Sequence, residues 1–193
     1  MSKRTLSREK IVAEAFRMMD ENGADSFSLR SLAAHLGVRV SALYNHIENE
    51  NDLLACVAQC AADEYNAYIE TEICGLPPDA AAEKAGDAFL RFWSDHKYLY
   101  DLFLDRRWME NPVFSKALER FTQPIAFLLE QYGVEDPVEK ENLYVVLRVV
   151  THGFASLESL GTFDSLSIDA KESYHRLIKS AIGMMKASGR KGR

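Results

Sequence analysis

Cysteine is scarce, with three in 193 residues at positions 56, 60 and 74. No apolar export-type stretch follows Met1–Arg4, so the three side chains are expected to be reduced thiols rather than a disulfide framework. Cys56 and Cys60 lie one helical turn apart. No histidine or further cysteine is near enough in sequence to complete a local metal site, and both are expected to be small packed residues. Long apolar runs are missing too. The longest, Leu143–Val150, is interrupted by Arg148 and falls far short of the roughly 20 residues that span a bilayer, so no membrane partner and a cytoplasmic location are expected. Five prolines and ten glycines are too few for a loop-dominated or extensively disordered chain. Catalytic signatures are also lacking, with no G-x-S-x-G elbow, no H-E-x-x-H, no P-loop and no G-x-G-x-x-G. His152, Ser156 and Glu158 are residue types of a hydrolase, but they lie on one continuous apolar helical stretch. No catalytic residue, metal or other cofactor is assigned.

Positive charge is in the minority, with 23 Lys and Arg against 29 acids and a net charge of −6. An acidic chain that meets nucleic acid must concentrate its cations locally. Residues 1–47 hold seven Lys or Arg against five acids, a balance of +2 that leaves −8 for the remainder. The excess is small, but it lies at the end where the most informative stretch is found.

That stretch is Ser28–Ile47, SLRSLAAHLGVRVSALYNHI. Leu29, Leu32, Ala33 and Leu36 recur at i, i+3, i+4 and i+7, placing four apolar side chains on one helical face. Ser28 is a candidate N-cap, and Gly37 ends the helix where a left-handed residue is needed. After the turn, Val38, Leu43 and Ile47 point inward while Arg39, Ser41, Asn45 and His46 stay outside on a helix of roughly two turns. So short a helix is not stable alone. Its neighbours must hold it, which leaves its polar face for something other than folding, and the major groove of B-DNA, about 12 Å wide, admits a helix of this size. A small residue at position 33 lets the two helices cross closely.

These twenty residues, with Ala42, Leu43, Tyr44 and Ile47 after Gly37–Val38 and then Asp52, Leu53 and Leu54, resemble the helix-turn-helix signature of the TetR family of bacterial transcriptional regulators. The resemblance covers about the first quarter of the chain. It implies an all-α protein: an N-terminal three-helix helix-turn-helix DNA-binding domain over residues 1–49, followed by a larger helical ligand-binding and dimerisation domain over residues 50–193. It also implies a double-stranded DNA operator, a small-molecule effector and a homodimer. Carried over residue by residue, Ser28 offers its hydroxyl to a phosphate as well as capping, and Arg39 reaches a guanine edge or a phosphate. Val40 meets a thymine methyl, Ser41, Ala42 and Asn45 sit against bases, and Tyr44 and His46 contact the sugar-phosphate backbone. One departure matters. Many relatives carry a lysine at the start of the fourth helix, where this chain has Glu50; a glutamate facing phosphate weakens binding, and Lys3, Arg4 and Lys10 are expected to compensate.

Before this motif, Ser7 caps a helix expected over Arg8–Asn22, with Ile11, Val12, Ala15, Phe16 and Met19 inward. After it, Asn49 starts a long fourth helix running to about Ile69 that links the reading head to the rest. Gly75, Pro77 and Pro78 break the chain. Helices then follow from Asp79 to about Lys97, from Pro112 to Gly133 with a kink at Pro124, from Pro137 to about Leu160 after an Asp136 cap, and from about Ile168 to Lys186. The final ASGRKGR is expected to be disordered.

The helix after Asp136 is apolar on more than one face and so needs two partners. With the last helix it is expected to form a four-helix dimer interface, with Thr151, Ala155, Tyr174, Ile178, Ala181 and Ile182 at the contact; His152, Gly153, Phe154, Leu157 and Glu158 resemble a stretch found in several TetR C-terminal domains. Aromatic residues crowd the middle helices. Phe89, Phe92, Trp93, Phe103, Trp108, Phe121, Tyr144 and His152 are the candidates for an apolar or aromatic effector pocket. Two rival readings differ in class: an enzyme, which the missing motifs disfavour, and a ligand- or protein-binding module that has lost specific DNA recognition, which Glu50 and the acidic balance motivate.

Overall fold

A computed structural model describes residues 6–23, 26–104 and 112–191. The described residues are helical throughout, with ten helices: α1 (Arg8–Asn22), α2 (Leu29–His35), α3 (Val40–Leu43), α4 (Glu50–Ile73), α5 (Pro78–Asp95), α6 (Lys97–Leu104), α7 (Pro112–Phe121), α8 (Gln123–Gln131), α9 (Pro137–Ser159) and α10 (Ala170–Lys191).

The chain packs as two units. Residues 1–65 and 96–121 form the first, and residues 66–95 and 122–193 form the second. The packing boundary thus falls inside α4, away from the 49/50 functional division that the sequence motif suggests.

In the first unit, the Ser7 side chain caps α1 by accepting from the Lys10 N–H. Ile11, Val12, Ala15 and Met19 of α1 are buried with Leu29, Leu32 and Ala33 of α2 and with Leu43 and Ile47. Each large aliphatic side chain buried in this way contributes on the order of 1.5–3 kcal/mol. α6 packs on α1. There His96 Nδ1 lies 2.9 Å from Asp20 Oδ2, and elsewhere in the unit Tyr65 of α4 stacks on Phe121 of α7 with ring centroids 4.4 Å apart.

In the second unit, α5, α9 and α10 pack against one another and α8 lies on α5 and α9. Their interior holds Phe89, Phe92 and Trp93 of α5, Leu128 and Leu129 of α8, Leu143, Leu147 and Phe154 of α9, and Tyr174, Ile178, Ala181, Ile182 and Met185 of α10. Asp136 caps α9 through the Glu139 N–H at 2.9 Å, with Pro137 at the first helical position.

Three boundaries correct the sequence expectations. The helix expected from Pro112 to Gly133 is two helices that meet at Thr122, because Pro124 has no N–H to continue the ladder and starts α8 instead. α4 continues to Ile73, beyond the expected end near Ile69, and stops before Gly75. Ala187–Lys191, expected to be disordered, continue α10. Gly189 explains why: a Cβ there would lie 1.8 Å from the Tyr132 carbonyl oxygen, so its bare backbone docks the end of the helix on the α8–α9 corner. Asn111, the residue before Pro112, lies outside the described residues.

Candidate functional site

The helix pair around Gly37 is fixed at two helix ends. Ser28 accepts from the Ser31 N–H at 3.0 Å while the Ser31 hydroxyl accepts from the Ser28 N–H at 3.1 Å, a reciprocal cap that fixes the start of α2. At the other end, the Val38 N–H reaches the Ala33 carbonyl at 2.9 Å and the Gly37 N–H reaches that of Ala34 at 3.1 Å. This is the Schellman closure, and it needs Gly37 at φ 68°. The chain then turns into α3.

The third helix is shorter than the two turns expected. Only Val40–Leu43 are α-helical, and the His46 and Ile47 N–H groups both close back onto the Leu43 carbonyl, at 2.8 and 3.1 Å. Leu43 is fully buried and Ile47 nearly so, which anchors the segment by its apolar side. Its other side faces out: Arg39, Ser41 and Asn45 are exposed, and Tyr44 keeps 52% of its surface. Val40, Ala42, His46 and Ser28 are half-buried. Seven of the eight expected DNA-contact residues thus lie on the one short segment 39–46, with Arg39, Ser41, Tyr44 and Asn45 outward, while Ser28 caps α2.

One residue that positions this segment escaped sequence reasoning. Arg8, at the start of α1, donates to the His46 carbonyl at 2.9 Å, to Asp52 Oδ1 at 2.6 Å and to the Cys56 sulfur at 3.2 Å. A single guanidinium thus ties α1 to the end of the α3 segment at His46 and to the first turns of α4. Asp52 and then Cys56 raise the Arg8 pKa above its ordinary value, so the clamp stays charged. Asp52 is shared further, accepting from the Glu48 N–H at 3.0 Å. Cys56 is half-buried under Arg8, whereas Cys60, expected to be a packed residue, is exposed. Among the described residues no group of three or more His, Cys, Asp or Glu side chains is placed to hold a metal.

Glu50 is exposed in the first turn of α4 with Asp52. Both acids suit the positive end of the helix dipole, so folding gives the glutamate a use. Lys10 is half-buried on α1, and Lys3 and Arg4 lie outside the described residues.

The aromatic candidates divide between the units. Phe89 meets Trp93 edge to face at 6.3 Å, Trp93 meets Phe92 at 5.1 Å, and the Phe89 ring meets the His152 imidazole at 4.9 Å. Burial, then the charge of Arg148, pushes the His152 pKa down to about 4, so its ring is neutral near pH 7. Tyr144, two turns before His152, receives a hydrogen bond from Arg148. Phe121 belongs to the first unit, stacked on Tyr65. Trp108 and the Phe103 side chain lie outside the described residues.

The expected dimer residues divide by their burial within one protomer. Tyr174, Ile178, Ala181 and Ile182 are buried within their own protomer, because Tyr174 and Ile178 close on α5 at Gly86 and Tyr174 also meets Phe154 of α9. Thr151 and Ala155 are half-buried on α9, and the Thr151 hydroxyl donates to the Leu147 carbonyl at 2.9 Å. The apolar residues that do face outward are Val138, Val145, Val149, Leu157 and Leu160 of the α9 region and Leu177 and Met184 of α10. The missing signal is the relative phase of the two helices. α10 turns its Tyr174–Ile178–Ile182 side to α5, which leaves Leu177 and Met184 outside.

No described helix is long and apolar enough to cross a membrane. The chain matches the family described as "Tetracyclin repressor-like, C-terminal domain" over residues 82–181. It is 28% identical over 168 residues to an uncharacterised HTH-type transcriptional regulator of Mycobacterium tuberculosis, covering 86% of this chain and 76% of that protein. Its fold is similar to that of a protein of unknown function from Rhodococcus sp. RHA1, with a TM-score of 0.73 at 19% identity over 97% of this chain and 98% of that one. It is also similar to the TetR family protein ActR of Streptomyces coelicolor, crystallised in complex with actinorhodin, with a TM-score of 0.66 at 20% identity over 96% and 99% of the two chains. A glycine-closed helix pair with its polar side outward, a helical second unit, and a family match over more than half the sequence lead to one conclusion: this chain belongs to the TetR family of transcriptional regulators.

Proposed function

We propose that the protein is a homodimeric repressor, not a catalyst, that holds a two-fold DNA operator and leaves it when an apolar or aromatic small molecule binds. Residues 1–49 carry DNA contact and residues 50–193 carry regulation and dimerisation. One observation carries the reading most directly. The Arg39–His46 segment is anchored in the core by Leu43 and leaves Arg39, Ser41, Tyr44 and Asn45 exposed. A segment of this length reads few bases, so specificity requires two copies at half-sites about 34 Å apart or a multiple of that. The outward stripe Val145, Val149 and Leu160 of the α9 region, with Leu177 and Met184 of α10, is the surface we assign to the second copy. Phe89, Phe92 and Trp93 with Tyr144 and His152 are the effector residues, and the complex of the similarly folded ActR with actinorhodin supports a small-molecule effector. Effector and operator then compete by unequal affinity for two conformations, with α4 as the covalent link between the units.

The test is fluorescence anisotropy with DNA flanking the protein's own gene. The full chain is expected to bind as two copies per site, and Arg39→Ala and Asn45→Ala are each expected to cost about 1–3 kcal/mol of binding. Wild-type affinity for that DNA no greater than for random sequence overturns the reading. In parallel, a panel of hydrophobic ligands that changes neither the melting temperature nor operator affinity argues for a different signal. Exposed Glu50 favours a second reading, a ligand-binding module without operator recognition. Ligand binding with no DNA retention at any salt concentration selects it.

A further inference from the structure

Arg148 is a cation in the middle of an otherwise apolar stretch of α9, and it is half-buried. Its contacts lie on its own helix: it donates to the Tyr144 hydroxyl and its guanidinium sits 5.8 Å from the centre of that ring. Two other arginines of the same unit are each beside a glutamate, Arg91 with Glu72 at 3.7 Å and Arg176 with Glu172 at 2.6 Å. Both are exposed, whereas Arg148, the more buried of the three, is paired with none of the described carboxylates. A cation withdrawn from water without a counter-charge is unfavourable until one is supplied.

The helix does not supply it. One turn before Arg148 is Tyr144 and one turn after is His152, whose ring is neutral because burial and Arg148 itself oppose its protonation. Tyr144, Arg148 and His152 form a polar strip at i, i+4 and i+8, bordered by the Phe89 ring at 4.9 Å from His152 and by Trp93 behind it. By helical phase, roughly 100° per residue, the strip lies between the side that buries Leu143 and Leu147 and the outward stripe of Val145 and Val149. One charge, a phenol hydroxyl and a neutral imidazole beside aromatic rings suit a flat aromatic body that carries one negative group.

We infer that Arg148 is the anion-binding residue of the effector site, so that the effector is an aromatic anion, a carboxylate, sulfonate or phenolate, rather than a neutral or cationic aromatic. This inference rests on the effector reading above and adds the charge of the ligand to it. A guanidinium holds such a group through charge-assisted hydrogen bonds.

Two fluorescent probes of similar ring system separate the possibilities in the full-length protein: 8-anilinonaphthalene-1-sulfonate, an anion, and N-phenyl-1-naphthylamine, which is neutral. Arg148→Met is expected to weaken sulfonate binding by about tenfold or more and to leave the neutral probe within about twofold, with Arg148→Lys recovering part of the loss. Loss of both probes to the same extent, or of neither, overturns the inference while leaving an apolar effector site in place. Failure of both probes to bind the wild-type protein overturns the effector reading and this inference together. A third result also defeats it. If Arg148→Met shifts the monomer–dimer midpoint in sedimentation and leaves sulfonate binding alone, the cation serves contact between copies instead.

Discussion

The Tyr174 hydroxyl, fully enclosed in the second unit, donates a 2.9 Å hydrogen bond to the backbone carbonyl of Gly86. A Cβ at position 86 would lie 3.0 Å from that hydroxyl oxygen and 3.3 Å from Ile178. α5 and α10 are thus seated on each other through a missing side chain. Gly86→Ala gains about 1 kcal/mol of helix propensity and loses about 1–3 kcal/mol to the crowding, so a net loss is expected. Tyr174→Phe is expected to cost about 1 kcal/mol. The two changes are not additive, because removing the hydroxyl relieves part of the clash; a double-mutant cycle by urea denaturation should show the alanine costing less in the phenylalanine background.

Arg8 gives a prediction about position without contact. Arg8→Met removes the bonds to Asp52, Cys56 and the His46 carbonyl. Its side chain keeps 42% of its surface, so solvent screening holds the expected stability loss to about 1–2 kcal/mol. Operator affinity is expected to fall as the reading segment loosens, with an unchanged slope of affinity against salt. A lost phosphate contact would instead reduce that slope by about 1. The measurement is operator binding from low to high salt for both proteins.

The outward stripe predicts how the protein comes apart. Val149 keeps 66% of its surface in the protomer and Leu177 keeps 50%, so charges there do not disturb the fold of one copy. Val149→Asp with Leu177→Asp is expected to sediment as a monomer at micromolar concentration with undiminished helical circular dichroism. Ile178→Asp, one residue away but only 3% exposed, is expected to unfold the second unit instead. A double variant that stays dimeric places the interface elsewhere.

His152 makes the protein sensitive to acid. Its ordinary value is 6.5 and its folded value is about 4, so the folded state binds fewer protons than the unfolded state between those limits. Stability is then full above pH 6.5 and declines as pH falls towards 4, by up to about 3 kcal/mol. His152→Gln abolishes this part of the decline. Urea unfolding of both proteins at pH 7.0, 5.5 and 4.5 tests it; parallel curves would mean that the imidazole is already solvated in the folded state.

Much of the first unit was legible in the sequence, because local rules decide it. The spacing of Leu29, Leu32 and Ala33, the cap at Ser28 and the turn at Gly37 each refer to residues within one helical turn or two, and the structure places them accordingly. Where several partners compete for a helix, local rules run out. The face of α10 that looks apolar in sequence contains both the buried Tyr174–Ile178–Ile182 row and the outward Leu177 and Met184, and only the seat at Gly86 decides which is which. Arg8 was missed for a related reason. Its partners lie 38, 44 and 48 residues away, and nothing near position 8 announces them.

α9 shows three separate strips around one cylinder: Leu143, Leu147 and Phe154 buried, Tyr144, Arg148 and His152 half-buried, and Val145 and Val149 outside. Adding or deleting one residue in its middle would rotate everything beyond by roughly 100°, exchanging all three strips at once. Length changes during evolution are therefore expected to collect in residues 160–169, between α9 and α10, where no such phase is kept. Substitutions within α9 can alter one strip and spare the other two, so under the proposed roles ligand choice and partner choice diverge independently on a single helix.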